Sequence, residues 1–298
     1  MREVNCGYDN AQSSVGKKTV TGLGLSYPDS LVTADGIAAL SLAMKHGSCC
    51  SLPFCCTVEG EALGADVCMG DDTAGPRAAG DPAWEWQKPL VFPAVDFSEG
   101  RIGAALSACR LLKQRGESVV LEISGPITVL NCFMDLSTLF KTWRKRPEWV
   151  EDALRQLKLF HLQYMRHASE AGADLICYAD PVGSYSILGP RYAKELMRKY
   201  VVPLLRRIEA GDNVASGVHI CPKTVQMLTE YGFAQWERVA VGTVADYARG
   251  CLTAAGKSVF FGEACLKNTG YQPENGEIKT LRLRNDDDVF SAAEEKLR

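Results

Sequence analysis

Gly217-Val218-His219-Ile220-Cys221-Pro222 reads as a short buried strand running straight into a helix. Alternate residues of a strand point to the same side, so His219 and Cys221 emerge together at its tip. Pro222 suits a first helical position. Thr224-Val225-Gln226-Met227-Leu228-Thr229-Glu230-Tyr231 continues the helix and Gly232 stops it. A strand tip that feeds a helix is where catalytic groups collect in α/β barrels. His219 and Cys221 are soft donors suited to one zinc ion, and Cys265, closing Phe261-Gly262-Glu263-Ala264-Cys265, is the candidate third. One histidine and two cysteines with an open fourth position describe a catalytic zinc site.

Working outward, strands and helices alternate. Helices are expected at 34–45, 100–115, 128–143, 147–171, 190–209 and 244–255. Strands are expected at 48–55, 90–95, 119–123, 174–179, 239–241 and 258–261. The polar, Gly-rich residues 1–28 read as an N-terminal arm, and 70–88 as a long excursion of the kind that often forms a lid. Buried, non-alternating strands separated by helices predict parallel pairing. The fold expected is one domain over 1–298, a (β/α)8 TIM-type barrel with about seven convincing strands, so that one unit is degenerate or missing. No Gly-rich dinucleotide fingerprint follows an early strand to support a doubly wound sheet. Asp180, in Asp180-Pro181-Val182-Gly183-Ser184, stands at another strand tip.

Composition narrows the function. The chain has 298 residues, 46% of them hydrophobic, and a formal charge of −3 without a long Lys/Arg run. Phosphate neutralisation therefore has no footprint, and nucleic acid is not an expected partner. No apolar run of membrane length and no secretion signal is seen, so a cytoplasmic protein with no membrane partner is expected. The twelve cysteines lack the spacing of a small disulfide scaffold and read mostly as buried thiols. Cys49-Cys50 and Cys55-Cys56 are assigned to packing, because adjacent strand residues face opposite ways.

The run Pro53-Phe54-Cys55-Cys56-Thr57-Val58-Glu59-Gly60-Glu61-Ala62-Leu63-Gly64-Ala65, then Gly125-Pro126-Ile127-Thr128, Gly172-Ala173-Asp174 through Asp180-Pro181, and His219-Ile220-Cys221 occur in a familiar order. They resemble the uroporphyrinogen decarboxylase superfamily, and within it the zinc-dependent methylcobamide:coenzyme M methyltransferase branch. The resemblance covers about residues 27–281. It implies a zinc ion bound by His219, Cys221 and a later Cys, and a methylated corrinoid (methylcobamide) as donor. The acceptor it implies is a small thiol activated as its thiolate. No Asp-x-His-x-x-Gly cobalt-binding pattern is present, so the corrinoid is expected on a separate carrier protein. Glu59 and Glu61 are candidates to take the thiol proton or the fourth zinc position, and Asp180 a candidate to hold the second ring nitrogen of His219. For each carboxylate the competing reading is a solvated or helix-capping acid.

The third ligand stays open at this point. Cys265 lies 44 positions after Cys221 (265 − 221), whereas the resemblance implies a further strand and helix between the two ligand strands, so the chain reads as shortened there; Cys251, within a helix, is the poorer alternative. Two other functions compete. A metal-free tetrapyrrole decarboxylase needs an Asp where Cys55 aligns and an Arg-rich N-terminal segment, which is lacking here. An accessory protein that binds corrinoid or thiol without turnover is the third. Acceptor identity and oligomeric state stay open.

Overall fold

The computed structural model describes residues 15–45, 47–79, 88–212, 214–256, 259–267 and 270–285. Three helices open the described chain: α1 (Lys17–Gly22), α2 (Asp29–Val32) and α3 (Ala34–Ala43). They lead into β1 (Cys50–Leu52), α4 (Val58–Ala62) and a small antiparallel hairpin, β2 (Val67–Cys68) with β3 (Arg77–Ala78). Next come α5 (Gly100–Gln114), β4 (Val119–Ser124), α6 (Pro126–Leu130), α7 (Leu136–Lys145), α8 (Pro147–Glu170) and β5 (Leu175–Ala179). α9 (Tyr185–Leu196) continues through a π-turn at Met197–Val201 into α10 (Val202–Glu209). The last elements are β6 (Gly217–Ile220), α11 (Pro222–Glu230), β7 (Ala234–Ala240), α12 (Tyr247–Ala254), β8 (Phe260–Phe261) and β9 (Glu277–Leu283).

The central sheet runs β1-β4-β5-β6-β8-β9-β7. From β1 to β8 every pairing is parallel, each crossing made through helices, as the barrel reading expects. β9 then pairs antiparallel with both β8 and β7. This is where the irregular unit lies: β7 is displaced from the place beside β6 and joins the sheet only through β9. The strand expected at 239–241 is therefore the end of a longer ribbon strand.

Side-chain alternation sorts the core into two layers. Leu121, Ile123, Ile176, Tyr178, Val218, Ile220 and Phe260 pack with α5 and α8. Val120, Leu175 and Phe261 face the other way, against Tyr247, Ala248, Cys251 and Ala254 of α12 and Ile278 of β9. α12 thus fills the concave side of the sheet below the strand tips. Asp246 caps it by accepting from Arg249 N (2.8 Å) and also accepts from the Ser48 hydroxyl (2.8 Å), which ties the helix to the foot of β1.

Several expectations are corrected. Residues 90–95 form no strand and join no ladder. Gln156 of α8 takes their backbone groups instead, its amide nitrogen donating to Leu90 O (2.9 Å) and its oxygen accepting from Phe92 N (3.1 Å). The strand expected over 48–55 is only three residues long, because Pro53 has no N–H to extend the ladder. The helix expected over 128–143 is two helices, the second started by Asp135 accepting from Thr138 N (2.7 Å). The helix expected at 190–209 begins at Tyr185 and is kinked at Gly189, whose φ of 66° a residue without a Cβ adopts freely, and Pro190 starts the stretch beyond the kink. Of the N-terminal arm, residues 15–28 are no free tail: Val15 and Val20 are buried with Leu31 and Leu40. Residues 1–14, and 80–87 of the excursion, lie outside the described residues. Among the described residues no helix is long and apolar enough to cross a membrane.

Candidate active site

Parallel register aligns Glu122 of β4, Cys177 of β5, His219 of β6 and Phe261 of β8 in one row across the concave face. One step towards the strand tips stand Ser124, Ala179 and Cys221. His219 is almost fully buried, at 1% exposure, and its ring lies edge-on to Tyr247 with centroids 6.0 Å apart. Nε2 lies 2.8 Å from the carbonyl oxygen of Ala264, so it carries the ring proton and donates it. Nδ1 then presents its lone pair, and Cys177 Sγ lies 3.4 Å away.

Cys221 closes β6 and is the residue from which α11 begins. It is buried beside Ala179, and Cys265 packs against both. Residues 262–265 are held in three ways. The Tyr247 hydroxyl accepts from Gly262 N (3.0 Å) and from Glu263 N (2.8 Å). The Glu263 carboxylate accepts from Lys279 N of β9 (2.8 Å) and pairs with Lys279 Nζ (2.9 Å). Gly262 meanwhile passes so close to β6 that a Cβ there would lie 2.5 Å from Ile220 O. The ribbon and α12 together bring Cys265 to the tip of β6.

His219, Cys221 and Cys265 thus occupy one corner of the concave face. They form two adjacent pairs, His219 with Cys177 and Cys221 with Cys265. Among the described residues no three His, Cys, Asp or Glu side chains converge as tightly as a metal-holding group. Their chemistry nevertheless fits a zinc ion: the donors are one nitrogen and sulfurs, and the imidazole is already fixed through its other nitrogen by a carbonyl, as metal-bound histidines commonly are. Cys251, the alternative ligand, lies inside α12 among Cys49, Val120 and Phe261, and burial pushes its thiol far above the ordinary range. Burial likewise pushes Cys49, Cys109 and Cys132 up to about 12, so these are packing thiols.

The expected partnership between Asp180 and His219 is corrected. Asp180 accepts from Ile127 N (3.1 Å), Thr128 N (2.9 Å), the Thr128 hydroxyl (2.7 Å) and Gly183 N (3.2 Å). Its position at the tip of β5 turns the carboxylate sideways onto the first turn of α6, away from β6. Gly125 and Gly183 leave room for it; a Cβ on either would stand within 2.4 Å of the Asp180 side chain. Burial raises its pKa, and these hydrogen bonds oppose that rise.

Glu59 is buried in α4, and its Oε1 accepts from Ser124 N at 2.7 Å. Its Oε2 is buried without a hydrogen-bond partner, and burial pushes its pKa up to about 7. Ser124 belongs to β4, two strands from β6, or about 10 Å across the mouth. Glu61 instead pairs with Arg101 Nε (2.5 Å) and borders a cleft of about 520 Å³ formed with Val32, Asp96 and Glu99. No hydrogen bond described for Glu59 or Glu61 reaches His219, Cys221 or Cys265.

Residues not foreseen from sequence complete the mouth. Arg101 of α5, 5% exposed, also donates to Cys55 Sγ (3.2 Å) and the Thr57 hydroxyl (2.9 Å). His161 of α8, fully buried, donates from Nε2 to Ser124 O (2.7 Å) and accepts from the Tyr200 hydroxyl (2.5 Å); burial lowers its pKa to about 4 and keeps it neutral. The tip of β4 is therefore gripped from both sides, by Glu59 and by His161. Cys177 and Tyr247 were legible only as apolar-run residues.

A family profile described as uroporphyrinogen decarboxylase (URO-D) matches residues 34–255. The chain is similar to the methylcobamide:CoM methyltransferase MtaA of Methanosarcina barkeri (strain Fusaro / DSM 804), at 28% identity over 234 residues, covering 75% of this chain and 68% of that protein. It is also similar to the methylcobamide:CoM methyltransferase MtbA of Methanosarcina acetivorans, at 24% identity over 238 residues, covering 75% and 69%. Among solved structures, a methyltransferase from Methanosarcina mazei superposes with a TM-score of 0.59 at 25% identity, covering 76% of this chain and 67% of that one. The profile spans the parallel strands β1, β4, β5 and β6 together with α12, so that His219 and Cys221 fall within the match while β8, β9 and Cys265 lie beyond it: the chain belongs to the uroporphyrinogen decarboxylase family.

Proposed function

We propose that this protein is a methyltransferase that moves a methyl group from a methylated corrinoid to a small thiol such as coenzyme M, with a zinc ion held by His219, Cys221 and Cys265. The observation that carries the reading is the corner where the imidazole of His219, oriented by the Ala264 carbonyl, stands under Cys221 and Cys265. The methyltransferases to which the chain is similar support the chemistry. Zinc, when bound, stabilises the thiolate form of the acceptor at neutral pH.

The chain's own residues do the positioning. Two cysteine thiolates lower the net positive charge of such a site, which keeps the acceptor sulfur nucleophilic. Tyr247 and Glu263 hold the loop that bears Cys265. Glu59, with one oxygen unpartnered and a pKa pushed up to about 7, is a proton acceptor facing the same mouth. The methylated corrinoid comes on a separate carrier protein that docks over the strand tips. The decarboxylase alternative fares worse, because Arg101 faces a thiol at Cys55 where that reading needs a carboxylate.

The test is metal analysis with a methylcobalamin assay on purified protein. About one zinc per chain, and loss of both zinc and coenzyme M-dependent demethylation in His219→Ala and Cys221→Ala, is the expected result. A metal-free protein, or variants that keep full activity, refutes the reading. Zinc without demethylation by any thiol tried favours an accessory role.

A further inference from the structure

Gly125 N donates to Ala179 O across the β4–β5 ladder. Successive residues of a strand turn their backbone groups to opposite edges, so Ser124 turns its N–H and C=O towards the edge that faces β1. β1 itself pairs only with residues 119–121 of β4. Two side chains stand in for the missing strand at Ser124. Glu59 Oε1, from α4, accepts from its N–H (2.7 Å), and His161 Nε2, from α8, donates to its C=O (2.7 Å). The Tyr200 hydroxyl donates to His161 Nδ1, which keeps the ring proton on Nε2. With Oε1 committed to an N–H, the proton of a neutral Glu59 belongs on Oε2, the buried oxygen without a hydrogen-bond partner.

We propose that His161 is a positioning residue for Glu59: by holding the Ser124 carbonyl it keeps the Ser124 N–H on Oε1, and so leaves Oε2 as the atom on which that carboxyl carries its proton. This rests on the reading above that makes Glu59 the proton acceptor. In that step the S–H bond of the acceptor thiol breaks, its electron pair stays on sulfur, and the proton forms an O–H bond at Oε2 of the ionised carboxylate. The groups that face Glu59 from the elements packed around it are Arg101 of α5, Cys132 just beyond α6 and Tyr164 of α8. Burial keeps that thiol and that phenol neutral, so Arg101 supplies the charge there.

The test is an infrared titration of the full chain, following the protonated carboxyl band that Glu59→Gln removes. It compares the unaltered protein with His161→Phe, His161→Gln and Tyr200→Phe, each checked for its fold by circular dichroism. In His161→Phe the hold on Ser124 is lost and the ionised carboxylate loses its donor. The midpoint should rise there by about one pH unit, a tenfold change in protonation. Tyr200→Phe should move it the same way by less. His161→Gln, whose amide can donate to Ser124 O and accept from Tyr200, should return it towards the unaltered value. The pH profile of methylcobalamin demethylation should move with the midpoint while KM for the thiol stays constant. An unmoved midpoint in folded His161→Phe overturns the inference; where that variant does not fold, an unmoved midpoint in Tyr200→Phe does so. A midpoint that moves while the rate profile stays in place upholds the positioning and removes Glu59 from the proposed reaction.

Discussion

The carbonyl of Ala264 accepts the Nε2 proton of His219 at 2.8 Å, so the loop that carries Cys265 also sets the tautomer of an imidazole on a different strand. Ligand geometry and loop geometry are one problem here. The next residue to fail would be the one that holds the loop.

That residue is Tyr247. Replacing it with Phe removes the acceptor shared by Gly262 N and Glu263 N and leaves Gly262 a buried donor unpaired. A loss of about 1–3 kcal/mol is expected in urea unfolding. The zinc proposed for this site should also leave the variant faster on addition of a chelator, since Cys265 and the Ala264 carbonyl are no longer held. Unchanged stability and metal release would show the loop is fixed by Glu263 alone.

Glu59 predicts a pH dependence. An acid whose folded pKa is pushed up to about 7 from 4.5 gives its full stabilisation below the unfolded value and loses it as pH rises through the folded one. Between pH 4.5 and 8 the unaltered protein should lose on the order of 3 kcal/mol from this group. Glu59→Gln should abolish that slope while its side-chain oxygen still accepts from Ser124 N. Urea midpoints of the two proteins across this range provide the check.

Asp180 anchors the first turn of α6. Asp180→Asn presents an NH2 group to donors and should cost roughly 2–4 kcal/mol. Gly183→Ala should destabilise as well, because its Cβ would stand 2.4 Å from Asp180 Oδ2. If both variants unfold like the unaltered protein but lose activity, Asp180 acts on substrate instead.

Arg101 spans Glu61, Cys55 and Thr57 with three different nitrogens. A lysine cannot reproduce that fork. Arg101→Lys should lose roughly 2–4 kcal/mol through the missing bonds, read by thermal or urea unfolding, with zinc content unchanged because no zinc candidate touches it.

The parallel strands and their helices were legible because buried strands and helical periodicity are local signals. The tip of β6 was legible too, since His219 and Cys221 share a side by strand geometry alone. β9 was missed although Glu277-Ile278-Lys279-Thr280-Leu281-Arg282-Leu283 largely alternates polar and apolar residues as a strand does. Its pairing between β8 and β7 could not be read, because strand order is set by packing and not by sequence distance. Asp180 was assigned to the wrong neighbour for a related reason: a strand-tip carboxylate can turn to either adjacent strand, and the amides of Ile127 and Thr128 outcompete a ring nitrogen. Cys177 was passed over because one thiol in an apolar strand carries no signal until register sets it beside His219.

The displaced ribbon has a further consequence. β8 is two residues long, and β9 beside it supplies the Lys279 that grips Glu263. Local opening of this ribbon would therefore release the loop, the Ala264 carbonyl and the imidazole together, without unfolding the parallel strands. The orientation of His219 is tied to the opening equilibrium of the last paired strand among the described residues, so a ribbon appended to the parallel strands becomes the timekeeper of the interior.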